Sequence, residues 1–206
     1  MLSGGMSDSD RRVWPIVGKV SAQERGALLR QRPVTVWLTG LSAAGKSTLA
    51  AELERRLVDA GRLCYLLDGD NIRAGISRDL GFGPADRHEN IRRIAEVARL
   101  MNEAGVIAIT AFISPYRADR AMAREVVGAD RFIEVHVAAP LEVCEQRDPK
   151  GLYAKARRGE VAEFTGVSAP YEAPEAPDVV VETAQAPVDA CVQRLFDAVT
   201  SKTRLP

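Results

Sequence analysis

The residues best suited to chemistry in this chain stand in one run, Gly40-Leu41-Ser42-Ala43-Ala44-Gly45-Lys46-Ser47, with Thr48 directly after it. The spacing is GxxxxGK(S/T). Its glycines let the backbone curl so that successive amide N–H groups point at a phosphate, and the helix that follows presents its positive amino end to the same anion. Lys46 is expected to reach the β- and γ-phosphates, Ser47 to place its hydroxyl on Mg²⁺, and Thr48 to add a phosphate contact. A nucleoside triphosphate is the ligand this pattern expects.

A second set of reactive groups follows. Asp68-Gly69-Asp70 closes the apolar run Leu63–Leu67, which would put both carboxylates at the carboxyl edge of a sheet, where open α/β folds bind ligands. Asp68 is placed to orient or deprotonate an acceptor hydroxyl, or to hold a water on Mg²⁺. Asp70 has two readings of equal weight: a share in that work, or the N-cap of a short helix starting at Asn71. Arg73 and Arg87, read as loop residues beside the site, suit an anionic acceptor because guanidinium grips phosphate or sulfate with two prongs. Arg92 and Arg93 read as a solvated helix face. Phe82, between Gly81 and Gly83, and Phe164 are loop aromatics placed to stack on a base. A guanine-selecting Asn/Thr-Lys-x-Asp string is absent from the sequence, which disfavours a switch GTPase. The apolar run ending Ala111-Phe112-Ile113-Ser114 carries no acid, which disfavours a motor or transporter ATPase and leaves a small-molecule kinase.

These groups need a scaffold, and the pattern supplies one. Strands are expected at Val34–Thr39, Leu63–Leu67, Val106–Ile113, Phe132–Val137 and Asp178–Val181, separated by helices. Lys46–Asp59 repeats Leu49, Leu53 and Leu57, with Gly61 as a stop. A second helix carries the stripe Ile91, Ile94, Ala95, Ala98 and Met101, closed by Gly105. Arg117–Val127, a short helix opened by Pro140, and Val188–Val199 complete the set. The βα rhythm predicts an α/β, P-loop nucleotide-kinase-like three-layer fold with a five-stranded parallel sheet. Between Asp148 and Pro177 the rhythm breaks; about 148–170 reads as a mobile lid, since long loops in compact domains usually serve function. Residues 1–32 read as an N-terminal arm and 33–206 as the kinase domain.

Composition narrows the setting. With 28 Lys+Arg against 28 Asp+Glu in 206 residues, the chain lacks the basic surplus of a nucleic-acid binder. It also lacks the roughly 20-residue apolar run of a membrane span and a signal-like start, so no nucleic-acid or membrane partner is expected and cytoplasm is the default location. Cys64, Cys144 and Cys191 are far apart and embedded in apolar segments, and neither His88 nor His136 is spaced as a zinc ligand to them. Buried thiols are expected, with no structural zinc.

Over Pro33 to Val181 the chain resembles the adenylylsulfate kinase (APS kinase) family. The supporting strings are WLTGLSAAGKST at 37–48, LLDGDNIR at 66–73, LGFGPADRHENIRRIAEVARLMNEAG at 80–105, TAFISPYRADR at 110–120, RDPKGLYAKARRGEVAEFTG at 147–166 and PYEAPEAPD at 170–178. It departs from the pattern at Ala43-Ala44, where many relatives carry a glycine, and at His88, where lysine is frequent. The resemblance implies transfer of the ATP γ-phosphate to the 3′-hydroxyl of adenosine 5′-phosphosulfate, giving PAPS and ADP. It implies that Phe82 and Phe164 sandwich the acceptor adenine and that Arg73, Arg87 and Asn90 hold its phosphosulfate. Ile113, Ser114 and Lys150 would line the same pocket, and Lys155, Arg157 and Arg158 would close over the phosphates. Bacterial members are described with a phosphoserine at the position of Ser114; here it is expected to shape the acceptor pocket first, since direct in-line transfer needs no covalent step. A homodimer is expected, with residues 13–32 as a dimer arm or a surface helix, and any ATP sulfurylase partner must be a separate chain. The alternatives are another small-molecule P-loop kinase or a non-catalytic ATP-binding regulatory subunit.

Overall fold

A computed structural model of the chain describes residues 14, 16 and 18–203. Five parallel strands, β1 (Thr35–Thr39), β2 (Cys64–Asp68), β3 (Ile107–Ala111), β4 (Phe132–Ala138) and β5 (Val179–Glu182), form one sheet in the order β2-β3-β1-β4-β5. Central strands β1 and β3 are buried at every position because helices cover both faces, which is why their sequences run apolar without alternation. Thr35 pairs with Ala108 on one side and with Phe132 on the other, so β1 sits in the middle with its carboxyl end facing the cleft.

The helices make the outer layers. On one face α2 (Lys46–Asp59) and α8 (Val188–Thr203) bury Leu49, Leu53, Leu57, Val192, Leu195 and Val199 against the sheet. On the other, α4 (Pro84–Glu103) and α5 (Arg117–Val127) cover Trp37, whose ring lies 5.5 Å from that of Phe132 and 6.3 Å from that of Phe112. The expected three-layer fold with a five-stranded parallel sheet is therefore present. Among the described residues no helix is long and apolar enough to cross a membrane, and Cys64, Cys144 and Cys191 are buried free thiols.

Local expectations shift in four places. The helix after β2 is α3 (Gly69–Ala74), and its N-cap is Asp68, which accepts the Asp70 N–H; Asp70 is not the cap. Arg73 and Arg87 lie on helices, not in loops: α4 begins at Pro84, a residue preorganised for the first helical turn, well before the apolar stripe that made it visible. Strand β3 ends at Ala111, because Phe112–Pro115 turns away with Ser114 at φ 37°. The stretch after Asp148 carries a short helix, α7 (Leu152–Arg157), preceded by α6 (Leu141–Arg147).

Ahead of β1, Ser21 and Glu24 form a reciprocal capping box on the short helix α1 (Ala22–Leu28). Gln31 is fully buried and donates to the carbonyls of Leu63 and Gly105 while accepting the Leu63 N–H. Residues 22–32 are thereby fastened to the amino-terminal ends of β2 and β3, the sheet edge opposite the cleft. The rest of the expected arm lies mostly outside the described residues.

Candidate active site

The Gly40–Ser47 turn leaves the end of β1 and enters α2. A Cβ on Gly40 would stand 2.5 Å from the Val137 carbonyl oxygen, so only glycine lets the loop cross β4 this closely. Ala43 holds φ 58° with a side chain in place, strain of the kind that gathers at ligand-binding turns. Lys46 folds back along the loop, its Nζ donating to the carbonyls of Gly40 at 2.9 Å and Leu41 at 2.7 Å. Only 8% of its surface is exposed. Burial lowers its pKa to about 8, with Lys150 adding repulsion and Asp68 among the groups opposing the shift.

Ser47 Oγ donates to Asp68 Oδ2 at 2.7 Å, and the other Asp68 oxygen accepts the Asp70 amide at 3.1 Å. The carboxylate is held at both oxygens beside the phosphate-binding turn. Asp70 forms an ion pair with Lys150, tying α3 to the segment after α6.

One cleft of about 1270 Å³ runs along the carboxyl ends of the strands. Toward β2 and β3 it is lined by Asp68, Asp70, Arg73, Phe82, Arg87, Asn90, Ile113, Ser114, Lys150 and Phe164, which brings together all the expected acceptor-side residues. Arg73 donates to the Gly81 carbonyl at 2.7 Å and lies over the Phe82 ring, 4.3 Å from its centre. Arg87 donates to the carbonyls of Phe82 at 2.8 Å and Glu163 at 3.0 Å. The two aromatics differ in setting: Phe82 is 60% exposed, while Phe164 is 8% exposed and meets Tyr153 edge-on at 5.0 Å. Asn90 is buried with Oδ1 unpaired among the described residues. At the β3 turn, Thr39 Oγ1 donates to the Ile113 carbonyl at 2.7 Å, Trp37 Nε1 donates to Ser114 Oγ at 3.2 Å, and Arg120 donates to the Ser114 carbonyl at 2.7 Å.

The basic residues expected over the phosphates lie elsewhere. Arg157 pairs with Glu145 and Arg158 with Glu160, and neither they nor Lys155 lines the cleft. Arg92 and Arg93 bind Glu89, and Arg93 also binds Asp79, as a solvated face should. His88 Nδ1 meets the buried Asp119 at 2.6 Å, linking α4 to α5 outside the cleft.

On the β5 side, reasoning from sequence missed Arg147 and Thr183. Thr183 Oγ1 donates to the Ala44 carbonyl of the turn at 2.8 Å, and Arg147 donates to Thr183 Oγ1 and O at 3.1 and 2.7 Å. Thr183 directly follows a strand, at the carboxyl edge where site residues concentrate. That position was the available signal.

A parallel α/β sheet with this phosphate-binding turn on its central strand, a serine–carboxylate pair beside it and a pocket bearing Arg73 and Arg87 across from it defines a small-molecule P-loop phosphotransferase. The family model described as Adenylylsulphate kinase matches residues 32–182, and the chain belongs to that family. It is 56% identical over 179 residues to the adenylyl-sulfate kinase of Aeromonas salmonicida, covering 87% of this chain and 91% of that one. With the adenylyl-sulfate kinase of Emericella nidulans identity is 52% over 194 residues, covering 90% and 94%. The APS kinase of Mycobacterium tuberculosis, solved in complex with AMPPNP and APS, superimposes with a TM-score of 0.79 at 46% identity, over 82% of this chain and 98% of that one.

Proposed function

We propose that this chain transfers the γ-phosphoryl group of ATP to the 3′-hydroxyl of adenosine 5′-phosphosulfate, producing PAPS and ADP for sulfate assimilation. The observation that carries the reading is the single cleft that joins the phosphate-binding turn and the Ser47–Asp68 pair to a pocket lined by Arg73, Arg87, Asn90 and two aromatics. The M. tuberculosis structure, with AMPPNP and APS bound together, supports the same assignment.

In this reading the turn amides of residues 40–48 cradle the triphosphate, and Lys46 exchanges the Gly40 and Leu41 carbonyls for phosphate oxygens. Ser47 and Asp68 suit Mg²⁺: a hydroxyl and a carboxylate oxygen 2.7 Å apart are hard donors of the kind and number that ion takes from protein when phosphates and water complete its shell. They would hold it, Asp68 partly through water, and the ion would neutralise charge on the phosphate oxygens. Asp68, fixed at both oxygens, is placed to accept the proton of the attacking hydroxyl. Arg73, Arg87 and Asn90 hold the phosphosulfate with Lys150 and Asp70 at the cleft mouth, Phe82 and Phe164 take the faces of the base, and Ile113 and Ser114 form the floor. The Ser114 hydroxyl, already receiving the Trp37 N–H in a buried turn, acts in shaping that floor; its phosphorylation is not a step in the transfer. We place the enzyme in the cytoplasm as a homodimer, supplied with adenylylsulfate by an ATP sulfurylase on a separate chain.

Coupled measurement of ADP formation with Mg-ATP and either adenylylsulfate or AMP tests the assignment. Turnover should depend on adenylylsulfate. Equal rates with the two acceptors, or no stimulation by adenylylsulfate, would overturn it.

A further inference from the structure

Thr165 is a polar side chain that the roles above leave unused. It follows Phe164 in a turn whose backbone is closed by the amides of Val167, Ser168 and Ala169 on the Phe164 carbonyl, at 3.0, 3.0 and 3.1 Å, and by Gly166 N–H on the Ala169 carbonyl at 2.8 Å. Phe164 N–H is also taken, by Ser168 Oγ at 2.9 Å. The position of Thr165 is thus set before any ligand arrives. Its surface is 1% exposed, it lines the cleft, and its Oγ1 has no hydrogen-bond partner among the described residues. A buried hydroxyl left unpaired weakens a fold, and a ligand that completes the bond recovers that loss on binding.

The location says which ligand group. Arg87 spans the carbonyls of Phe82 and Glu163, so the Phe82 loop and the segment leading into Phe164-Thr165 face each other across one guanidinium. The β5 end of the cleft, with Arg147 and Thr183, lies on the other side of the phosphate-binding turn. The cation that meets this segment, Arg87 at the Glu163 carbonyl, is assigned above to the phosphosulfate, and Glu163 stands two residues from Thr165 on the same cleft wall, so the group left for the hydroxyl is the base. A neutral heterocycle is a good partner for it. Stacking on aromatic faces tolerates any base, whereas a hydroxyl can donate to a ring nitrogen or accept from an exocyclic amine.

We propose that Thr165 is a specificity-determining residue of the acceptor pocket, its hydroxyl hydrogen-bonding the polar edge of the purine whose faces lie against Phe82 and Phe164. The inference rests on the functional reading given above. In steady-state assays Thr165→Val, which keeps the side-chain shape, should raise KM for adenylylsulfate about tenfold, the loss of one hydrogen bond in a preorganised pocket. Its kcat should stay within about threefold and KM for ATP should not change, because the hydroxyl meets the base in ground and transition state alike. Thr165→Ser should restore the affinity. The melting temperature of ligand-free Thr165→Val should equal or exceed that of the wild type, while the rise on adding adenylylsulfate shrinks. If that variant fails to fold, Thr165→Ala is read by the same measurements. A wild type active on adenylylsulfate with a Thr165→Val of equal KM would overturn the role of the hydroxyl alone; a wild type with no adenylylsulfate-dependent turnover would overturn the functional reading as well.

Discussion

Lys46 concentrates the residue-scale physics of the site. Its ammonium is buried on the loop it belongs to, and its pKa falls from 10.5 to about 8 for lack of water. Between those two values the unfolded chain binds more protons than the folded one, so the stability of the ligand-free protein should rise with pH from about 8 to about 10.5. Lys46→Met should remove that slope in denaturant titrations. Bound triphosphate favours the charged form, so ATP binding above pH 8 should take up a proton and weaken by up to about tenfold per pH unit. Calorimetry in buffers of different ionisation enthalpy measures this uptake; ATP affinity flat from about pH 7 to 9.5 would contradict the assignment. Lys46→Ala should nearly abolish turnover with the fold intact. The role of Lys46 was legible because GxxxxGK(S/T) ties residue type to backbone geometry. The cap role of Asp68 was less so, since an acid at a strand end and an acid at a helix start look alike in sequence when the two elements abut.

At the scale of elements, the acceptor pocket depends on how α5 is tied to its surroundings. Arg120, 3% exposed, donates to Glu134 Oε1 on β4 at 2.8 Å and, at 2.7 Å each, to the carbonyls of Ser114 and Glu172. One guanidinium thus joins the helix, a strand, the turn after β3 and the segment leading to β5. Arg120→Met leaves Glu134 facing only Arg124, at 3.7 Å, and strips two buried carbonyls. Breaking a buried pair from one side costs about 3–5 kcal/mol, and in a domain of this size that lowers the melting temperature by about 10 °C. Arg120→Lys should recover only part of it, because an ammonium cannot fork to three acceptors in a plane. A thermal melt shifted by less than about 3 °C would show that the network is dispensable. The sequence marked α5 as a helix but was silent on this junction, whose partners lie up to 52 residues apart. It also understated α4: the first turns of that helix face the cleft, so they carry charge where the core-facing turns carry an apolar stripe.

For the molecule as a whole, the zero formal net charge is repeated in the cleft, where Lys46, Arg73, Arg87, Arg147 and Lys150 stand among Asp68, Asp70, Asp148, Glu160 and Glu163. What the fold sets is the placement of those charges, with the Ser47–Asp68 pair beside the phosphate-binding turn and Arg73 and Arg87 around Phe82. Among the described residues β2 is an unpaired outer strand, with Tyr65 and the adjoining Leu63 about half exposed, an edge that a second copy of the chain can cover. Sedimentation should therefore show twice the chain mass, and Tyr65→Arg should shift it toward one; a wild type that sediments as a single chain at micromolar concentration would exclude the homodimer. By itself the sequence determined the α/β class, the five strands and the phosphate-binding turn, because each is written in contiguous residues through hydrophobic period and glycine placement. Only the tertiary structure decided the strand order β2-β3-β1-β4-β5, the Arg147–Thr183 brace on the turn and the approach of Glu163 to Arg87. Those depend on which distant backbone groups come within hydrogen-bond reach after the sheet has closed, and local pattern carries no record of that distance.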